Sequence, residues 1–99
     1  MHKLALLASL DARPGMEAAV EEFLKSAQPL ALQEAATRSW YAFRIGQSTF
    51  GIFDTFSDEA GRNAHVTGEI AKALFARAEE LFAAPPKILM LDVLASKAS

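Results

Sequence analysis

The sequence contains no cysteine, one tryptophan, one tyrosine and only two histidines, His2 and His65. The missing thiols exclude disulfides, thiolate catalysis and thiolate metal sites. Neither histidine has a second histidine or a carboxylate at ligand spacing, so no metal signature is present. The five glycines are isolated, so there is no phosphate-cradling loop, and no Ser-centred nucleophile elbow occurs. Basic residues are also short: ten Lys and Arg against twelve Asp and Glu leave a net charge of −2. That balance argues against a nucleic-acid partner. No run approaches the twenty or so apolar residues that span a membrane. Lys3 and the apolar stretch Leu4–Leu10 have the outline of a very short export signal. They run straight into Asp11 and Arg13, however, and read better as a first strand, which makes the cytoplasm the expected location.

What is present is the composition of one folded domain spanning residues 1–99. Hydrophobic residues are 52% and charged residues 22% of the chain, although about a fifth of all residues are alanine. A chain of this size buries roughly two-thirds of its unfolded surface.

Residues 2–10 form an apolar run of strand length, closed by the turn Asp11-Ala12-Arg13-Pro14-Gly15. From Met16 the period changes. Met16, Ala19, Val20, Phe23, Leu24 and Ala27 recur at three- and four-residue steps, and Glu21 stands one turn before Lys25, as in an amphipathic helix. Pro29 is expected to kink or interrupt this helix before it resumes for another turn. Residues 37–46 and 49–56 read as a hairpin rich in aromatic and β-branched residues. With Gln47-Ser48 as a two-residue loop, Ile45 faces Phe50, Phe43 faces Ile52 and Tyr41 faces Asp54. Tyr41 then shares a face with Asp54 and Phe56, while Arg38, Trp40 and Arg44 lie on the other.

Ser57-Asp58-Glu59 marks a helix start, with a break expected near Thr67-Gly68. A longer helix follows along Ile70, Ala73, Leu74, Ala78 and Leu81, and Pro85-Pro86 stops it. The run Ile88–Ala95 reads as a strand buried on both faces. The order is βαββαβ, an α+β ferredoxin-like fold: a four-stranded antiparallel sheet with both helices on one face. The other sheet face is too apolar for water, and a second copy of the chain is its economical cover.

Candidate chemistry rests on a few side chains. A histidine near a carboxylate can be held in one tautomer and act as a general base near neutral pH, which His65 after the Asp54 strand would do. His65 reads equally as a half-buried structural histidine. Asn63 can donate to a developing oxyanion or face water. Tyr41, Trp40, Phe56 and Phe75 are the candidate substrate-contacting aromatics, although Trp40 and Tyr41 cannot line one pocket.

The stretch Phe50-Gly51-Ile52-Phe53-Asp54-Thr55-Phe56-Ser57-Asp58-Glu59-Ala60, followed by Ala64-His65-Val66-Thr67-Gly68, resembles the antibiotic biosynthesis monooxygenase family. Arg13-Pro14-Gly15 is similar to the family's turn after the first strand, and Asp92-Val93-Leu94-Ala95 to its last strand. The resemblance implies a dimeric α/β barrel and cofactor-free oxidation of a small aromatic molecule, a phenol, quinol or anthrone, by oxygen. Carried over by position, Asp54 takes the family's usual Glu site and His65 its usual His; the leading reading has His65 as base, Asp54 as its orienting partner and Asn63 as a carbonyl polariser. Phe56 stands where a hydroxyl-bearing aromatic is common, so that hydrogen-bonding group is missing. The haem-degrading branch of the fold is disfavoured: the second long helix has Ala71, Ala73, Leu74 and Phe75 where its ligand belongs, and the first strand has Ala8 and Ser9. The alternative on the same fold is a dimer that binds a small molecule without transforming it.

Overall fold

The computed structural model describes residues 3–97, so His2 lies outside the described residues. Strand β1 (Leu4–Asp11) leads through the Arg13–Gly15 turn into helix α1 (Glu17–Gln33). Strands β2 (Thr37–Ile45) and β3 (Thr49–Phe56) form the hairpin, and α2 (Glu59–Val66), α3 (Glu69–Ala76) and the single turn α4 (Ala78–Leu81) precede β4 (Lys87–Asp92). The sheet is antiparallel throughout in the order β2-β3-β1-β4, the expected ferredoxin-like arrangement.

The core lies between the sheet and the helices. Leu6, Ala8 and Leu10 of β1 and Phe50, Ile52 and Phe56 of β3 meet Val20, Phe23 and Leu24 of α1 and Leu74 of α3. The Glu21–Lys25 pair on the solvent side of α1 forms at 2.8 Å. At this exposure solvent screens such a pair and it contributes little, so burial of the apolar stripe holds α1 in place. Asp58 caps α2 as its sequence position predicts, its carboxylate accepting the Gly61 N–H at 2.9 Å.

Four expectations are corrected. The hairpin loop is the three residues Gly46-Gln47-Ser48, with Gly46 at φ +67°, and not the two residues 47–48. The register therefore slips by one: Trp40, not Tyr41, stands opposite Asp54, with Ala42 opposite Ile52 and Arg44 opposite Phe50. Because side chains alternate along a strand, the slip moves the whole of β2 to the other face. Trp40 and Arg44 point toward the helices, where Arg44 meets Glu21 of α1 at 3.1 Å, and Tyr41, Phe43 and Ile45 point away from them.

The other three concern element limits. Helix α1 continues through Pro29 to Gln33 without interruption, since a proline loses one helical bond but does not forbid the turn. The long helix after Gly68 ends at Ala76. There the chain is drawn back to the end of β1, with Arg13 N–H bonded to the Leu81 carbonyl at 2.8 Å and Ala12 bridged to Phe82. Strand β4 stops at Asp92 and is an edge strand. Leu89 and Met90 are exposed on its opposite faces, so within one chain it is buried on neither.

Candidate functional site

The loop-to-helix turn at Asp58 starts α2 directly after β3, so the last turn of α2 comes back over the strand that carries Asp54. His65 sits in that turn, with its imidazole between two carboxylates from distant parts of the chain. Nδ1 lies 2.6 Å from Glu34 Oε1, and Nε2 lies 2.7 Å from Asp54 Oδ2. Asp54 is completely buried, His65 is 7% exposed and Glu34 is 20% exposed, so the three run from the core to the surface.

The two contacts differ in kind. Glu34 Oε1 is in hydrogen-bonding position to Nδ1 and also accepts the Thr37 hydroxyl at 2.7 Å. Asp54 meets Nε2 from inside the core as a close charge contact, 2.7 Å from Oδ2. Burial pushes the Asp54 carboxyl up from its ordinary value, with His65 pulling against that rise. Burial opposes charge on His65, but Asp54 and Glu34 together outweigh it and raise the imidazole to about 9. His65 is therefore an imidazolium at neutral pH. Its place in the last turn of α2, at the negative end of the helix dipole, favours the same form.

His65 separates two cavities. On one side is an apolar pocket of about 200 Å³ between α3 and the β1–β4 half of the sheet. Leu6, Ile52, Ile70, Leu74 and Ile88 form its walls, Phe75 and Met90 stand exposed at its rim, and His65 is its one polar side chain. On the other side is a cleft of about 440 Å³ between the end of α1 and α2, lined by Glu34, Thr37, Glu69 and the closely packed Gly61 and Gly68.

The structure thus brings His65, Asp54 and Phe75 to one place and sets Phe56 behind them. Phe56 is fully buried, with its ring 5.4 Å from the imidazole, and does not line the pocket. Trp40 is the cross-strand neighbour of Asp54, and its indole N–H is buried without a partner among the described residues; it borders the groove between α1 and β2. Tyr41 lies on the outer face of the sheet, 60% exposed. Asn63 is exposed on α2 and lines neither cavity beside His65. Arg38 donates to the Ser57 hydroxyl at 2.8 Å.

Glu34 is the member that sequence reading missed, because 31 residues separate it from His65. One signal was available. Glu34 is the C-cap of α1, where a carboxylate faces the negative end of the helix dipole and needs a compensating cation.

No family model and no curated protein matches the sequence. Solved structures do. The NE2512 protein of Nitrosomonas europaea, whose function is unknown, is 52% identical, with a TM-score of 0.97 over 100% of this chain and 96% of that one. A second Nitrosomonas europaea protein, named "Putative antibiotic biosynthesis monooxygenase", has a TM-score of 0.84 at 11% identity over 98% and 95% of the two chains. A structure named as an antibiotic biosynthesis monooxygenase has a TM-score of 0.80 at 15% identity over 93% of this chain and 99% of that one. The chain belongs to the family of the NE2512 protein, and its fold is that of the antibiotic biosynthesis monooxygenase-like proteins.

Proposed function

We propose that the protein is a cofactor-free oxygenase that takes a small, flat aromatic molecule with an ionisable oxygen into the pocket beside His65. The observation that carries this reading is the pocket itself: apolar walls with one ionisable side chain, which is tied to two carboxylates. Its size suits a monocyclic or bicyclic aromatic body. For a naphthol the reaction is balanced as naphthol plus O2 giving naphthoquinone plus water: the naphtholate ring carbon takes up oxygen as a hydroperoxide, which keeps one oxygen atom as the new carbonyl and loses the other as water. His65 takes the first proton from the substrate hydroxyl, Asp54 orients the ring, and Phe75 at the rim stacks on the substrate.

The charge on His65 sets the conditions. An imidazolium has no free lone pair, so the base is active only in the deprotonated fraction, and that fraction grows as pH rises toward about 9. Oxygen uptake by the purified protein, measured with naphthols, quinols and anthrones, is expected to rise through the alkaline range and to be lost in His65→Ala. Activity that survives His65→Ala, or that rises through the ordinary histidine range instead, removes His65 as the base.

The binding-only reading has one observation in its favour: both ring nitrogens are already engaged by carboxylates. Saturable binding of the same compounds with no uptake at any pH selects it.

A homodimer is part of the proposal. Leu7, Phe43, Phe53, Leu89 and Leu91 share the outer sheet face with the exposed Tyr41 and Ile45, a surface more apolar than a monomer normally leaves to water. Light scattering at micromolar concentration is expected to give twice the 10.7 kDa chain mass. A single species at the chain mass sinks the dimer.

A further inference from the structure

The pocket accounts for one side of His65; the other side is held by a residue no substrate would touch. We infer that Glu34 is a positioning residue: from the C-terminal end of α1 it clamps Nδ1 of His65 and fixes which nitrogen faces Asp54. The inference deepens the proposed role of His65, and rests on that role only for its effect on turnover.

Three features of the structure converge on it. The contact is short, 2.6 Å, and the same oxygen Oε1 is fixed a second time by the Thr37 hydroxyl, so the carboxylate is oriented before His65 meets it. The chain is also shaped for the approach. A Cβ on Gly68 would lie 3.3 Å from Glu34 Oε2, and one on Gly61 would lie 3.2 Å from Ala36 Cβ, so side chains at either position would crowd the 34–37 segment away from α2. Finally, Glu34 at the end of α1 and His65 in the last turn of α2 bring together two helix C-termini. Both ends repel a carboxylate and attract a cation, so the imidazolium offsets the cost of placing Glu34 there.

The charged groups around His65 are few. Asp54 reaches it from β3 and Glu34 from the end of α1, while Glu69 at the start of α3 lines the same cleft. Arg62, one turn back on α2, is directed away to the carbonyls of Ala5 and Leu91. Glutamine at position 34 removes the charge and can donate its amide N–H to Nδ1. That stabilises the neutral ring with its proton on Nε2, facing Asp54. The ring would then lose its charge nearer neutral pH.

The test is a nitrogen NMR titration of His65 in the wild type, E34Q, E34D and E69Q, with the fold of each checked by circular dichroism. The wild-type ring is expected to titrate near 9. In E34Q the midpoint should fall by about one to three pH units, the range a close opposite charge commands. E34D keeps the charge but withdraws it by one methylene. It should give a smaller fall, and it decides the matter if E34Q does not fold. E69Q should leave the midpoint in place. A midpoint unmoved in E34Q overturns the inference, as does an equal fall in E69Q, which would mean that any negative charge in the cleft suffices. No substrate is present in this titration, so wild-type protein that takes up no oxygen counts against the oxygenase reading alone.

Discussion

The two cavities that meet at His65 are unlike in every respect that matters to a proton. The pocket toward the sheet is walled by Leu6, Ile52, Ile70 and Leu74 and offers water no hydrogen-bond partner except the imidazole. The cleft toward α1 carries Glu34, Thr37 and Glu69 and is open to solvent. One ring thus has a dry face and a wet side, and its charge is set from the wet side and from the buried Asp54. This separates two tasks that small active sites often load onto the same surface. The substrate cavity stays apolar and selects by shape, while the ionisation of its one titratable group is controlled from beyond it.

The strongest way to break this arrangement is to discharge the ring. The pKa of His65 is raised on folding, from 6.5 to about 9, so the stabilisation is complete below the unfolded value and is lost as pH rises through about 9. The shift corresponds to about 3 kcal/mol at most, less what the burial of Asp54 costs. Urea unfolding is expected to show wild-type stability falling between about pH 7 and about pH 10. His65→Leu leaves Asp54 buried without a counter-charge. It should lose about 3–5 kcal/mol near neutral pH, and most of the alkaline fall should disappear with it. A wild-type profile flat over that interval contradicts the charged ring.

A smaller effect sharpens the contrast from the dry side. Ala71 lines the apolar pocket from α3, and Ala71→Phe should fill that volume while leaving the His65 contacts alone. Calorimetric titration with a naphthol is expected to lose affinity about tenfold or more, some 1.4 kcal/mol, with little change in melting temperature. Unchanged affinity would place the ligand elsewhere.

Much of the fold was legible because its signals are local and redundant. The switch from an apolar run to a 3.6-residue period at Met16, the Asp58 cap and the prolines at 85–86 each mark a boundary without help from the rest of the chain. Asp54 and His65 were legible as a pair because a cap and one helix separate them, which gives α2 little choice but to fold back over β3. Two things were not legible. The hairpin register hung on whether the turn has two or three residues, and Gly46 at the strand end allows either reading while the strands themselves look the same. Glu34 was hidden for a different reason. Its partner is contributed by the approach of the 34–37 segment, just past α1, to α2, and nothing in the sequence between them encodes that distance.

The three-residue turn at Gly46-Gln47-Ser48 has a consequence beyond the hairpin it closes. Because β2 alternates an exposed tyrosine with a half-buried tryptophan, the length of that turn chooses which one stands across from Asp54. Loss of a single turn residue would exchange an indole for a phenol beside a buried carboxylate and carry the tryptophan to the outer face, with no side chain substituted. Turn length is therefore a heritable selector of the chemistry around Asp54, and a lineage of such proteins could alter that neighbourhood by insertion or deletion far from the site itself.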